Sequence, residues 1–118
     1  MKNKLQSFLS SQNKVKFAYL FGSYADSTYT DKSDVDIAVY LSDTSLDARL
    51  EVAHALEVSL QKKVDLVVLN DVKNMFLLEA ILKEGIVVKD ADDRIYFEVE
   101  RHHAIIDFKH FKRYIDAA

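Results

Sequence analysis

The stretch FGSYADSTYTDKSDVDIAVYL (residues 21–41) decides the fold, because it joins two apolar runs through a polar turn. The run VKFAYLF (15–21) is rich in β-branched and aromatic residues, which is typical of a buried strand. The run VDIAVYL (35–41) has the same character and predicts a second strand. The polar residues between them predict one helical turn and a loop.

Outward from this stretch, apolar periodicity predicts the other elements. Helices are expected over 2–12, 46–60, 74–84 and 91–117, and further strands over 64–70 and 86–89. This order predicts one α/β (α+β) domain, spanning 1–118, with a small mixed sheet of three to four strands covered by helices. We expect the helices to cover mainly one face of the sheet.

Two of the predicted helices have assignable faces. Thr44 and Asp47 fit a capping pattern at the start of the second helix. Its expected core face consists of Leu46, Leu50, Ala53 and Leu60. In the last helix, Ile95, Val99 and Ile106 fall on one stripe.

Composition limits the class of protein. Of 118 residues, 49% are hydrophobic and 30% are charged, which is typical of a globular domain. The net charge of −3 argues against general nucleic-acid binding. The chain has no cysteine, which excludes disulfides and thiolate metal sites, and no apolar run long enough to span a bilayer. A cytoplasmic location is expected.

The sequence places three candidate metal-binding acids near the ends of predicted strands. Asp34 and Asp36 alternate along a strand and so project to the same side, with Cα atoms about 6.6–6.8 Å apart. Asp65 opens the strand 64–70 and can face the same site if the two strands are neighbours. Oxygen ligands of this kind suit magnesium, and three acids could hold two ions. The alternative is a set of solvated acids at loop–strand junctions.

The turn at Gly22-Ser23 supplies a complementary feature. Glycine allows the backbone to approach a ligand closely. Ser23 can begin a short helix whose N–H groups and hydroxyl bind a phosphate, or it can serve only as a helix cap. A phosphate-binding turn beside paired acids predicts a nucleotide–metal site.

The sequence GSYADSTYTDKSDVD (22–36) resembles the signature of the minimal nucleotidyltransferases, relatives of DNA polymerase beta. The resemblance implies that Asp34, Asp36 and Asp65 bind two magnesium ions, that Gly22-Ser23 holds ATP, and that AMP is moved onto a hydroxyl. Many members have a basic residue after Gly-Ser, where this chain has Tyr24-Ala25-Asp26. Lys32 or a residue of a partner is expected to supply that charge.

A chain of this length has no room for a second, acceptor-holding domain, so the acceptor is expected to come from another molecule or to bind across a dimer. The resemblance implies a HEPN-family ribonuclease toxin as partner, modified on a tyrosine by this antitoxin. Two alternatives are a non-catalytic antitoxin that acts by binding and a transferase for a small molecule such as an aminoglycoside. The chain itself could form a homo-oligomer or a hetero-complex.

The C-terminal helix, about 91–117, is the expected docking element because it is aromatic and because residues 101–118 are basic within an acidic chain. It also carries His102, His103 and His110. Zinc would require further ligands nearby, and none is evident. We therefore expect surface or interface histidines.

Overall fold

A computed structural model describes residues 1–117 and contains a four-stranded mixed sheet with five α-helices in that part of the chain. In chain order the elements are α1 (Lys2–Ser10), β1 (Val15–Phe21), α2 (Ser23–Asp26), β2 (Val35–Leu41), α3 (Leu46–Leu60), β3 (Val64–Val68), α4 (Met75–Glu84), β4 (Ile86–Lys89) and α5 (Asp93–Ala117). A 3₁₀ turn, Leu69–Asp71, follows β3. The predicted α/β class and four-strand sheet are confirmed.

The strand order is β3-β2-β1-β4, with β1 antiparallel to both of its neighbours and β2 parallel to β3. The parallel pair is possible because α3 provides the crossover connection. β3 ends two residues earlier than predicted. The Asn70 side chain accepts from the Leu41 N–H and donates to the Leu41 carbonyl, both at 2.9 Å, so its amide replaces the next backbone pair.

Helices cover both faces of the sheet, so the expectation of one covered face is wrong. Along β1, Ala18 and Leu20 pack on the side of α1 and α3, whereas Phe17 and Tyr19 pack on the side of α4 and α5. A strand that is buried on both faces needs apolar residues at successive positions, which explains the almost continuous apolar run 15–21.

α3 begins differently from the prediction. The N-cap is Ser45, not Thr44, because the Ser45 side chain accepts from the Ala48 N–H at 3.2 Å. The predicted core face is confirmed at Leu60 and wrong at Leu46 and Leu50, which are 69% and 59% exposed. The buried positions are Ala48, Val52, Leu56 and Leu60.

α5 is held to the sheet by polar contacts at its start. The Tyr19 hydroxyl donates to Glu98 at 2.6 Å, and Arg94 donates to the same carboxylate at 2.9 Å. Phe97 and Ile105 face the core. Residues 109–116 are all exposed, so the last two turns of α5 extend away from the domain.

No helix in residues 1–117 has both the length and the apolar character needed to cross a bilayer.

Candidate functional site

Two of the predicted acids are direct neighbours across the parallel strands. Asp36 in β2 is in register with Asp65 in β3, and adjacent strands lie about 4.8 Å apart. Ala38 and Val67, two residues further along each strand, pack on the side of α4 and α5. Because strand side chains alternate, both carboxylates project from that same face. The condition for Asp65 to join the site, that β2 and β3 are neighbours, is confirmed.

The third acid lies at the same edge of the sheet. Asp34 comes just before β2 and is exposed, whereas Asp36 is partly buried. Burial raises the pKa of the Asp36 carboxyl, and the nearby carboxylates of Asp65 and Asp34 raise it further. The effect on Asp36 indicates that the carboxylates of Asp65 and Asp34 lie near it.

Gly22 lies directly against Asp36, one of the three acids. Its φ of +72° favours glycine, and it directly follows Phe21, which pairs with Asp36. A Cβ added at Gly22 would lie 3.0 Å from Asp36 Cγ and closer still to the carboxylate oxygen. Gly22 therefore lies against the strand that carries Asp36, and its predicted close approach to a ligand stays a prediction.

Ser23 begins α2, whose first turn is closed by the Gly22 carbonyl. That carbonyl accepts from the N–H groups of Ala25 at 3.0 Å and Asp26 at 3.3 Å. The first N–H groups of a helix have no intrahelical acceptor and can bind an anion. Asp26 accepts from Thr28 through the backbone N–H at 3.0 Å and the hydroxyl at 2.5 Å, which lowers its pKa and makes it a turn residue.

Two lysines that directly precede β3 were missed by sequence reasoning. The carbonyl of Lys63 accepts from the Val35 N–H at 2.9 Å, which places Lys63 between the starts of β2 and β3. The Lys62 ammonium lies 5.8 Å from the centroid of the Tyr24 ring, at the start of α2. The available signal was the Lys-Lys pair directly before the strand that carries Asp65. Lys32, the predicted source of charge, is exposed in the loop before β2.

The chemistry of the three acids fits magnesium. Within the described range 1–117, no group of three acidic or histidine side chains, Asp34, Asp36 and Asp65 included, is placed to hold a metal ion. Magnesium does not require such a group, because it is held by one or two carboxylates and completes its shell with phosphate oxygens and water. The edge of the sheet that carries Asp34, Asp36 and Asp65 would leave the remaining positions to phosphate oxygens and water. His102, His103 and His110 are exposed on α5, as expected for surface positions.

Comparison with known proteins shows the same fold and signature. Residues 3–94 match the family model described as polymerase beta, nucleotidyltransferase. Protein adenylyltransferase MntA from Shewanella oneidensis is 42% identical over 74 residues, which are 61% of this chain and 52% of that protein.

Solved structures are similar over nearly the whole chain. One, of a toxin–antitoxin with AMP-PNP, has a TM-score of 0.80 and 30% identity and covers 98% of this chain and 95% of its own. Another, of the tri-AMPylated Shewanella oneidensis HEPN toxin in complex with MNT antitoxin, has a TM-score of 0.74 and 26% identity over 99% of this chain and 97% of its own.

Proposed function

The chain belongs to the polymerase beta nucleotidyltransferase family, and on that premise we propose that it is an antitoxin that transfers AMP from ATP to a tyrosine of a cognate HEPN toxin. The observation that carries the proposal is the register of Asp36 with Asp65 beside the Gly22 turn. Two carboxylates on adjacent strands, next to a turn that can hold phosphate, form the minimum for nucleotidyl transfer.

Asp34, Asp36 and Asp65 are the residues that would hold two magnesium ions. Bound there, magnesium supplies the positive charge that neutralises the triphosphate and makes the attacking hydroxyl more acidic. The pKa of Asp36 is raised first by burial and then by the neighbouring carboxylates, and a cation between the carboxylates would offset the second contribution, which supports this assignment.

The residues of the chain have distinct roles in the transfer. The first N–H groups of α2 and the Ser23 hydroxyl hold phosphate oxygens, and Lys62 and Lys63, directly before β3, are the candidates for added positive charge. The tyrosine oxygen bonds to the α-phosphorus of ATP, the bond to pyrophosphate breaks, and the hydroxyl proton passes to Asp65. Catalysis is mainly positioning and charge stabilisation.

The docking element is the exposed end of α5 on its core-facing side. Phe111 and Ile115 continue the face of Phe108, which packs edge-on against Phe76 at 5.6 Å between ring centroids. Phe76, Phe111 and Ile115 are all exposed, and Lys112 adds positive charge. We call these four residues the docking patch. Aromatic residues beside a cation are typical of protein interfaces.

The experiment incubates the chain with α-labelled ATP, magnesium and the toxin encoded beside it. Label on the toxin is expected for the native chain, and Asp34→Asn and Asp36→Asn should each reduce the transfer at least about 100-fold. Asp31→Asn is the matched control, because Asp31 is an exposed loop acid close in sequence. An unlabelled toxin across nucleotides and metals would contradict the proposal.

A second candidate, neutralisation by binding alone, is favoured by the exposed docking patch. The same variants separate the two functions. Retained toxin binding with lost neutralisation supports catalysis, whereas unchanged neutralisation by Asp36→Asn supports occlusion.

A cytoplasmic location agrees with a chain that has no cysteine.

A further inference from the structure

α5 carries a second apolar surface, on the side that faces away from the sheet. It consists of Ile95, Tyr96, Val99, His103, Ile106, His110 and Tyr114, which we call the outer stripe. The members follow one another at helical spacing and lie on one side of the helix. All seven are exposed, and the five large apolar ones are between 52% and 78% accessible.

Neither the fold nor the proposed function uses this stripe. The core contacts of α5 come from Phe97 and Ile105, on the opposite side of the helix. The docking patch continues that core-facing side, and the acids lie at the ends of β2 and β3. A row of exposed apolar residues along one side of a 25-residue helix is typical of a surface that contacts a partner.

The charges of α5 indicate which partner it is. Residues 93–100 contain three acids and one arginine, whereas residues 101–117 contain four bases and two acids. The beginning of the segment is therefore acidic and its end basic, an order that also suits the helix dipole. Two copies of such a helix attract each other when they lie antiparallel, because the acidic start of one meets the basic end of the other.

The spacing of the outer stripe is also self-complementary. A two-fold axis between residues 104 and 105 would place Ile95 opposite Tyr114 of the second copy. It would place Val99 opposite His110 and His103 opposite Ile106 in the same way. Every member of the stripe except Tyr96 then faces another member, as an isologous contact requires. From Ile95 to Tyr114 the stripe is about 28 Å long, at about 1.5 Å per residue.

We propose that the outer stripe is the interface of a homodimer in which two α5 helices pack antiparallel. The exposed last turns of each copy then cover the first turns of the other, which gives an isolated helix end the tertiary contacts it needs. Both acid clusters stay accessible, since neither lies on the outer side of α5. The inference does not depend on the proposed function.

Sedimentation of the purified chain tests the association at about 100 µM, where an interface with a micromolar Kd is occupied. We expect a dimer of twice the 13.5 kDa chain mass for the native protein and a monomer for Ile106→Glu. Val58→Glu is the matched control, because Val58 is an exposed apolar residue on α3, and this variant should remain dimeric. A native chain that sediments as a monomer, or a dimer that Ile106→Glu leaves intact, overturns the proposal.

Single cysteines test the orientation, because the chain has none of its own. With helix axes about 8–10 Å apart, two copies of His103→Cys should be joined readily by a short bis-maleimide linker. Two copies of Tyr114→Cys, about 28 Å apart, should not be joined. Preferential linking of Tyr114→Cys would indicate a parallel pair and contradict the proposal. A monomeric chain whose outer-stripe variants lose toxin binding would instead assign the stripe to the toxin.

Discussion

At Gly22 the backbone has a φ of +72° and lies against the Asp36 carboxylate, so an alanine there meets two separate penalties. The left-handed conformation disfavours any Cβ, and the added atom overlaps the acid. We expect Gly22→Ala to lower the free energy of unfolding by about 2–3 kcal/mol, measured by urea denaturation.

The double variant Gly22→Ala/Asp36→Ala separates these penalties. Removing the carboxylate relieves the overlap but not the backbone strain, so the double variant should be more stable than the sum of the two single changes in the free energy of unfolding predicts. Additive losses would show that Gly22 and Asp36 do not press on each other.

The raised pKa of Asp36 makes a prediction about stability. Because its folded-state pKa lies above the unfolded value, ionisation of this carboxyl opposes folding at neutral pH, and that cost disappears as the pH falls through the folded pKa. Asp36→Asn should therefore raise the unfolding temperature in metal-free buffer by a few degrees while it abolishes transfer. A lower unfolding temperature for Asp36→Asn would contradict this reading.

Magnesium should turn the destabilising effect of the ionised acids into a stabilising one. Added to the native chain at pH 7, it is expected to raise the unfolding temperature, because it binds the folded state through ionised acids. The rise in unfolding temperature should disappear on acidification at a pH above the pKa of an ordinary aspartate. The reason is that the raised pKa of Asp36 makes it take up its proton at a higher pH. Thermal scans across pH with and without magnesium measure this, and Asp36→Asn should show little response to the metal.

Among the elements, α3 allows a matched comparison of neighbouring residues. The Ser45 hydroxyl caps the helix at the Ala48 N–H, whereas Thr44 lies outside it. We expect Ser45→Ala to cost about 1 kcal/mol in the free energy of unfolding and Thr44→Ala to cost only a few tenths. Equal losses in the two variants, measured by thermal unfolding, would show that this cap contributes nothing.

The strands could be predicted from sequence better than the packing of the helices. The apolar runs at 15–21 and 35–41 were decisive because no helix-like period competes with them. α3 has apolar residues on several sides, so periodicity alone could not choose between the face of Leu46 and the face of Val52. Its orientation is set by contacts with the sheet, which local sequence does not contain.

In the site too, the features set by local sequence could be predicted and those set by long-range contacts could not. The alternation Asp34-Val35-Asp36 predicted two acids on one side, and the parallel pairing of β2 with β3 brought Asp65 to them. The approach of Lys63 to the start of β2 depends on a long-range hydrogen bond to Val35. No spacing rule along the chain predicts that contact.

For the molecule as a whole, the exposed end of α5 should be dispensable for folding. Residues 110–116 are exposed, so a chain that ends at Lys109 keeps its core and its ion pair with Glu79. We expect its free energy of unfolding to stay within about 1 kcal/mol of the full chain. Toxin neutralisation should be lost, because Phe111, Lys112 and Ile115 are removed. A truncated chain that still neutralises the toxin would contradict the assigned docking patch.

The one-to-one alignment of Asp36 with Asp65 also has a consequence for misfolding. Side chains alternate across a sheet, so a slip of β3 by a single residue would turn Asp65 toward α1 and α3. A misaligned chain would keep most of its secondary structure and lose every reaction that needs both acids. Activity per molecule is thus a more sensitive gauge of correct strand alignment than circular dichroism.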